Sequence, residues 1–494
     1  MTDRSRRERG RAPLVVAVVV CLLPAIGFAG LWQWASGVAA EPVETVPPTF
    51  EPDGPPRPEL TTELASLRRV PGPVADRLVA EAVQRAEEAF RDEVERVTAA
   101  AASRGESSCA SVALDGEMLA AAGDDELVIP ASNQKLFVAV AALEVVGADT
   151  TLTTEIRSSP PVDGVVAGDL YLIGSGDPLL RSADLPIERE LAIVDPTSFD
   201  ALVGAVVDAG VTRVEGDVVA DGSRYDDEFL VPSWGPDITR ADGGPIGGLL
   251  VNDGRIFGSG VGLNPAQAAA NELSRLLGTR GVTVGGGNRT VAADDDPDEL
   301  SVLAEISSAP VGDLVAEMLV SSDNQIAEML LKEIGHVGAG DGSRPGGMAV
   351  VRQMLTERGV DLTGAALEDG SGLSRANAVR CATVVGLLGT EPVDGPLGAR
   401  LPVAGESGTL TDVGVGTPAE GVLRAKTGTL TGVKALSGYL PSGDGPVFEL
   451  AVLLEGDGVD DPAVHLPVWR ELFEVLATFP PEPDPIDVDR LGPR

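Results

Sequence analysis

Histidine and cysteine are scarce in this chain, with two and three among 494 residues. A His/Cys zinc site has too few ligands to draw on. A Ser-His-Asp triad would have to use His336 or His465, and neither lies near a nucleophile-elbow pattern. Positive charge is short as well: 37 basic side chains face 76 acidic ones, for a formal net charge of -39. A balance of that sign repels phosphate backbones and argues against nucleic-acid binding. Within the basic set lysine is rarest, at Lys135, Lys332, Lys426 and Lys434 only. Arginine stays protonated in proteins, whereas a buried lysine can give up its proton. The scarcity fits a chain that reserves lysine for that property, and fits genome composition equally well.

What is present is globular, with 43% hydrophobic and 23% charged residues. The length predicts two or three folded units. Residues 1–11 form a basic tail with Arg4, Arg6, Arg7, Arg9 and Arg11, and no charge follows until Glu41. The apolar core from Pro13 to Ala35 would span about 34 Å as a helix, enough to cross a bilayer. Residues 12–35 therefore read as a transmembrane anchor, with the arginines on the cytoplasmic side and everything after it outside. A cleavable signal segment ending at Val38-Ala39-Ala40 is the alternative. Residues 36–73 are proline-rich and read as a linker, and 481–494 as a disordered tail. Cys21 falls in the membrane segment. Cys109 and Cys381 are then either a disulfide or two separate buried side chains.

Val79, Val83, Phe90, Val94 and Val97 recur at helical spacing and predict a helix from near Val74. Ser111–Leu119, around Asp115-Gly116, predicts a hairpin. Pro130-Ala131-Ser132-Asn133-Gln134-Lys135 runs into a helix apolar nearly all round, hence buried. Residues 158–299 alternate short strands (Asp169–Ile173, Val214–Ala220, Val282–Val284) with helices (Phe199–Ala209, Pro265–Leu277). They read as an inserted α+β domain between the halves 74–157 and 300–480 of another. The second half holds helices at Val311–Ile334 and Gly347–Arg358, strands at Gly421–Thr427, Val433–Tyr439 and Val447–Leu454, and a last helix at Pro467–Leu476. Helices against an antiparallel sheet built from both chain ends make the α+β class.

Three short motifs carry chemistry. In Ser132-Asn133-Gln134-Lys135 the serine and lysine share a helix face. A serine hydroxyl attacks only when a base takes its proton, and a neutral buried lysine can do so. In Ser322-Asp323-Asn324, Ser322 can relay a proton, and Asn324 can donate to a substrate carbonyl while orienting Lys135; alone, the motif is an ordinary helix cap. In Lys426-Thr427-Gly428-Thr429 the glycine lets a substrate backbone approach a strand end, where Lys426 and Thr427 would meet a carboxylate. Together and in order, the three should arise by chance in about one chain per several hundred.

The trio is a signature shared by serine β-lactamases and penicillin-binding proteins. The surrounding residues resemble a narrower group, the D-alanyl-D-alanine carboxypeptidase/endopeptidase family of low-molecular-mass, class C penicillin-binding proteins with a large insertion in the transpeptidase domain. The stretches that carry the likeness are Pro130–Leu136, Ile173–Pro178, Ser322–Glu328, Asp369–Arg375 and Lys426–Leu430. The long gap from Ser132 to Ser322 suits that insertion. Val413 departs from the pattern, which leads to an arginine there, and Gly247–Asn252 matches only loosely.

The resemblance implies a β-lactamase/transpeptidase-like fold, peptidoglycan stem peptides as substrate, and β-lactams as covalent inhibitors. It also implies a Ser132 acyl-enzyme with Lys135 as base. Ser322 and Lys426 would protonate the departing D-alanine, Thr427 and Thr429 would hold its carboxylate, and the Ser132 and Thr429 amides would form the oxyanion hole. No metal or organic cofactor is implied. The alternatives are a β-lactamase and a catalytically silent wall-binding scaffold.

Overall fold

Strands β1 (Ser107–Leu114) and β2 (Glu117–Ala122) meet at Asp115-Gly116, where both residues have positive φ, 49° and 79°. A two-residue turn of that hand matches the right-handed strand twist, which is why Asp-Gly marks a hairpin. The computed structural model describes residues 72–483, apart from 186–190, 237, 239–241, 257–259, 263 and 444. The expected basic tail, membrane segment and most of the linker, with the tail from 484 onward, lie outside the described residues. Among the described residues no helix is long and apolar enough to cross a membrane.

The remaining strands of the central sheet come from the other end of the chain: β8 (Arg424–Leu430), β9 (Val433–Pro441) and β10 (Val447–Glu455). Their order is β8-β9-β10-β1-β2, antiparallel throughout, with Ser107 opposite Glu455. In β10, Leu450, Val452 and Leu454 turn toward one core and Ala451 and Leu453 toward the other. Period-two alternation with both faces covered explains why the strand reads as one apolar run.

The first face is closed by α1 (Gly72–Ala102) and α9 (Pro462–Leu476), through Phe90, Val94 and Val97, and through Trp469, Leu472 and Phe473. Each such side chain, fully buried, contributes about 1.5–3 kcal/mol. Val79 and Val83 on α1 stay exposed, so only the second half of that helix uses its apolar stripe. The second face holds α2 (Lys135–Ala141), α5 (Val311–Val320), α6 (Asn324–Ala339), α7 (Arg344–Glu357) and α8 (Cys381–Leu388). All seven residues of α2 are buried, as its all-round apolar pattern requires. Cys109 on β1 is disulfide-bonded to Cys381 at the start of α8, Cα to Cα 5.7 Å.

The inserted region has its own five-stranded sheet. Strands β3 (Thr153–Ser158), β4 (Leu170–Ile173), β5 (Val218–Asp221), β6 (Asn288–Thr290) and β7 (Ser301–Ser307) stand in the order β6-β5-β4-β3-β7. The β4-β5-β6 half is parallel and the β4-β3-β7 half antiparallel. Helices α3 (Phe199–Asp208) and α4 (Pro265–Thr279) make the crossovers and bury Leu202, Val206, Leu273 and Leu277 against Leu170, Leu172 and Val218. The strands of this sheet run from Thr153 to Ser307. The described residues from Asp76 onward form one compact unit with this sheet included.

The expected strand Val214–Ala220 is broken. Arg213–Val214 joins a small parallel sheet while β5 starts at Val218. Asp169 Oδ1 accepts from the Asp217 amide at 2.7 Å, and a Cβ on Gly216 would lie 2.1 Å from that oxygen. The glycine is there to let the carboxylate turn the chain.

Candidate active site

Ser132 occupies a 3-10 turn, Ala131–Gln134, that leads straight into α2. Ala131 before it takes a φ of 46°, a left-handed conformation that costs a residue with a side chain about 1 kcal/mol or more. The turn lies against β8: a Cβ on Gly428 would come within 2.9 Å of both Pro130 O and Ser132 N. Gly428 thus permits the close approach of the serine turn.

One helical turn on, Lys135 is fully buried, with Nζ 3.0 Å from Ser132 Oγ. Nζ also donates to Asn324 Oδ1 and to Ser371 O, each at 2.7 Å. Neither oxygen has a hydrogen to offer, so a neutral amine spends its two N–H groups on them and turns its lone pair toward the serine hydroxyl. Burial lowers the Lys135 amine from 10.5 to about 8, against the upward pull of the Asp323, Asp369 and Glu328 carboxylates.

Ser322 breaks the helix pair α5–α6 with a φ of 61°. Lys426 reaches it from β8: its Nζ lies 2.8 Å from Ser322 Oγ and donates to Thr427 O at 2.8 Å. Burial first, then the charges of Lys135 and Lys434, hold Lys426 well below the ordinary lysine value. Asn324, the first residue of α6, stands beside Lys135. Its Oδ1 orients Lys135, but one Nδ2 hydrogen goes to Asp242 O at 2.8 Å, leaving a single N–H for a substrate carbonyl.

Two segments complete the cleft that the motifs alone did not reveal. The strap Asp369–Ser374 supplies Ser371 O and is tied down by carboxylates. Asp369 accepts from the Gly372 and Ser374 amides, Asn377 Nδ2 and Trp234 Nε1. Glu328 Oε1 accepts from the Gly370 and Ser371 amides at 3.0 and 2.7 Å. Burial, with Asp369 nearby, raises the Glu328 carboxyl to about 7. From the insertion, Trp234, Asp242 and Pro245 bond to Asp369, Asn324 and Gln325, which ties the inserted region to the start of α6.

At the outer edge of β8, Thr427 Oγ1 donates to Thr409 Oγ1 at 2.7 Å and Thr429 Oγ1 accepts from Lys434 Nζ at 2.9 Å. Thr409 and Lys434 were not singled out from sequence, since only the pairing of β8 with β9 and the fold of the 408–410 turn bring them there. Val413, at the position where the resemblance led to an arginine, is buried in the core beside α9. Among the described residues no group of three or more His, Cys, Asp or Glu side chains is placed to hold a metal.

The arrangement joins Ser132, Lys135, Ser322, Asn324 and Lys426 in one cleft with Thr427 and Thr429 at its rim. A model of the D-Ala-D-Ala carboxypeptidase 3 (S13) family matches residues 92–261 and 260–467. A D-alanyl-D-alanine carboxypeptidase of Actinomadura sp. (strain R39) is 36% identical over 70% of this chain and 77% of its own length. Carboxypeptidase DacB of Mycolicibacterium smegmatis is 30% identical over 70% and 74%. Penicillin binding protein 4 of Haemophilus influenzae shares the fold at a TM-score of 0.67 and 22% identity, covering 77% of this chain and 99% of its own.

Proposed function

The chain belongs to the D-Ala-D-Ala carboxypeptidase 3 (S13) family, and from that premise we propose that it cleaves the bond between two D-alanines of peptidoglycan stem peptides through a Ser132 acyl-enzyme. The observation that carries this reading is Lys135 Nζ, 3.0 Å from Ser132 Oγ with two further oxygens on its N–H groups. A neutral amine so oriented takes the serine proton as the hydroxyl attacks. The Ser132 amide, which Gly428 allows against β8, and the Thr429 amide receive the developing oxyanion, a contribution of about 3–4 kcal/mol per donor. Ser322, bonded to Lys426, passes a proton to the departing D-alanine, whose carboxylate meets Thr427 and Thr429. Water then releases the acyl group.

β-Lactams, which imitate the acyl-D-alanyl-D-alanine end, acylate the same serine. The catalytic region works on the outer side of the cytoplasmic membrane. Residues 12–35, outside the described part, hold it there or are removed on export. The scaffold reading explains neither deprotonable amine, and the β-lactamase reading lacks the family's support. Ser132→Ala should abolish labelling by a fluorescent penicillin, and a labelled Ser132→Ala protein would overturn the assignment.

A further inference from the structure

The sheet edge that presents Thr427 and Thr429 carries a cation for which the scheme above has no use. Lys434, near the start of β9, stands directly opposite Thr429, so the two side chains leave the same face. Its Nζ donates to Thr429 Oγ1 at 2.9 Å and lies 5.6 Å from the centre of the Trp469 ring. Among the described residues no carboxylate is ion-paired with it, and Asp460 acts on it only through space. The contrast with Lys332 is direct, because that amine is taken up by Asp226 at 2.5 Å and by Glu228 O at 2.7 Å. Three of the four lysines in the chain thus meet in one cleft, and only two have a part in bond making.

We propose that the Lys434 ammonium, with the Thr429 hydroxyl beside it, receives the free terminal carboxylate of the peptide, and so selects a chain end over an internal bond. The inference rests on the acyl-enzyme reading and names what that reading leaves open, the group that discriminates a terminal residue. The hydroxyl chemistry favours it. Thr429 Oγ1 accepts from Lys434, which leaves its single hydrogen to point at an incoming anion. One free hydroxyl donor and one cation match a carboxylate's two oxygens and charge. The Trp469 ring, 5.6 Å from Nζ, and the Thr429 bond position the cation before substrate arrives. Val413, buried against α9, brings no charge to this rim from the other side.

The test compares wild type, Lys434→Gln and Lys434→Arg on two substrates. Both are the same N-acylated peptide ending in D-alanyl-D-alanine, one with a free carboxylate and one with a terminal carboxamide. Wild type should prefer the acid. In Lys434→Gln, kcat/KM for the acid should fall roughly 10- to 100-fold, the loss of one charge-assisted bond, with the carboxamide rate unmoved. Lys434→Arg should keep most of the preference. Equal losses on both substrates, no loss on either, or no preference in wild type would each overturn the inference. Stoichiometric labelling by saturating fluorescent penicillin shows that a variant is folded and that Ser132 reacts. Unlabelled wild type would sink the acyl-enzyme reading instead. Should Lys434→Gln not fold, Lys434→Met, an unbranched chain of similar length without the charge, is read in the same way.

Discussion

The rate at which Ser132 is acylated should climb with pH, because the base that drives it is a lysine held near 8 by burial. The sign follows from which form works. Only the free amine can accept the serine proton, and raising the pH produces free amine, so activity rises through the pKa and then levels. With a value of about 8, the free-base fraction is about 1% at pH 6, about 9% at pH 7 and about 50% at pH 8. Acylation should therefore increase about 50-fold between pH 6 and 8, and only about twofold more above that. An ordinary lysine at about 10.5 would hold about 0.03% free base at pH 7, so burial, net of the opposing carboxylates, supplies a factor of about 300 at neutrality. The assay is stopped-flow acylation by a penicillin whose own ionisation is constant over the range, with the second-order rate constant measured at each pH. Lys135→Arg, which cannot deprotonate, should be slow and flat across it. A wild-type profile flat from pH 6 to 9, or one still rising tenfold per unit above pH 9, would refute the claim that buried Lys135 is the base.

Gly428→Ala should leave the protein folded but slow acylation by roughly 100-fold or more, since the new Cβ would sit 2.9 Å from Pro130 O and Ser132 N and push the serine turn off β8. Far-UV circular dichroism alongside penicillin labelling separates the two effects, and a fully active alanine variant would contradict the packing described. Cys381→Ser should lower unfolding free energy by about 2–4 kcal/mol, because the bridge to Cys109 closes a loop of 272 residues in the unfolded chain. Urea titration of wild type with and without reductant should show the same difference, and no change in midpoint would contradict it.

Local features of the fold were legible because their physics is local. Asp115-Gly116 could only be a tight turn of one hand, and Leu136–Val140, apolar on every side, could only be a buried helix. The broken strand at Gly216 was not legible, since the cause is a carboxylate 47 positions earlier, at Asp169, that shares its turn. The disulfide stayed open for the same reason: whether Cys109 and Cys381 approach depends on β1 meeting α8 across the core.

The site divides along the same line. Serine, lysines and asparagine at their spacings were on display in the chain, and with them the class of reaction. That Gly428 serves the serine turn, that Asn324 commits a donor to Asp242, and that Lys434 stands beside Thr429 all depend on register and packing between distant segments. Sequence by itself determined the inventory of reactive groups, because a side chain's functional group is covalent and local. Only the tertiary structure decided their protonation and aim, because a pKa and a lone pair's direction are set by the buried neighbours that folding gathers around them.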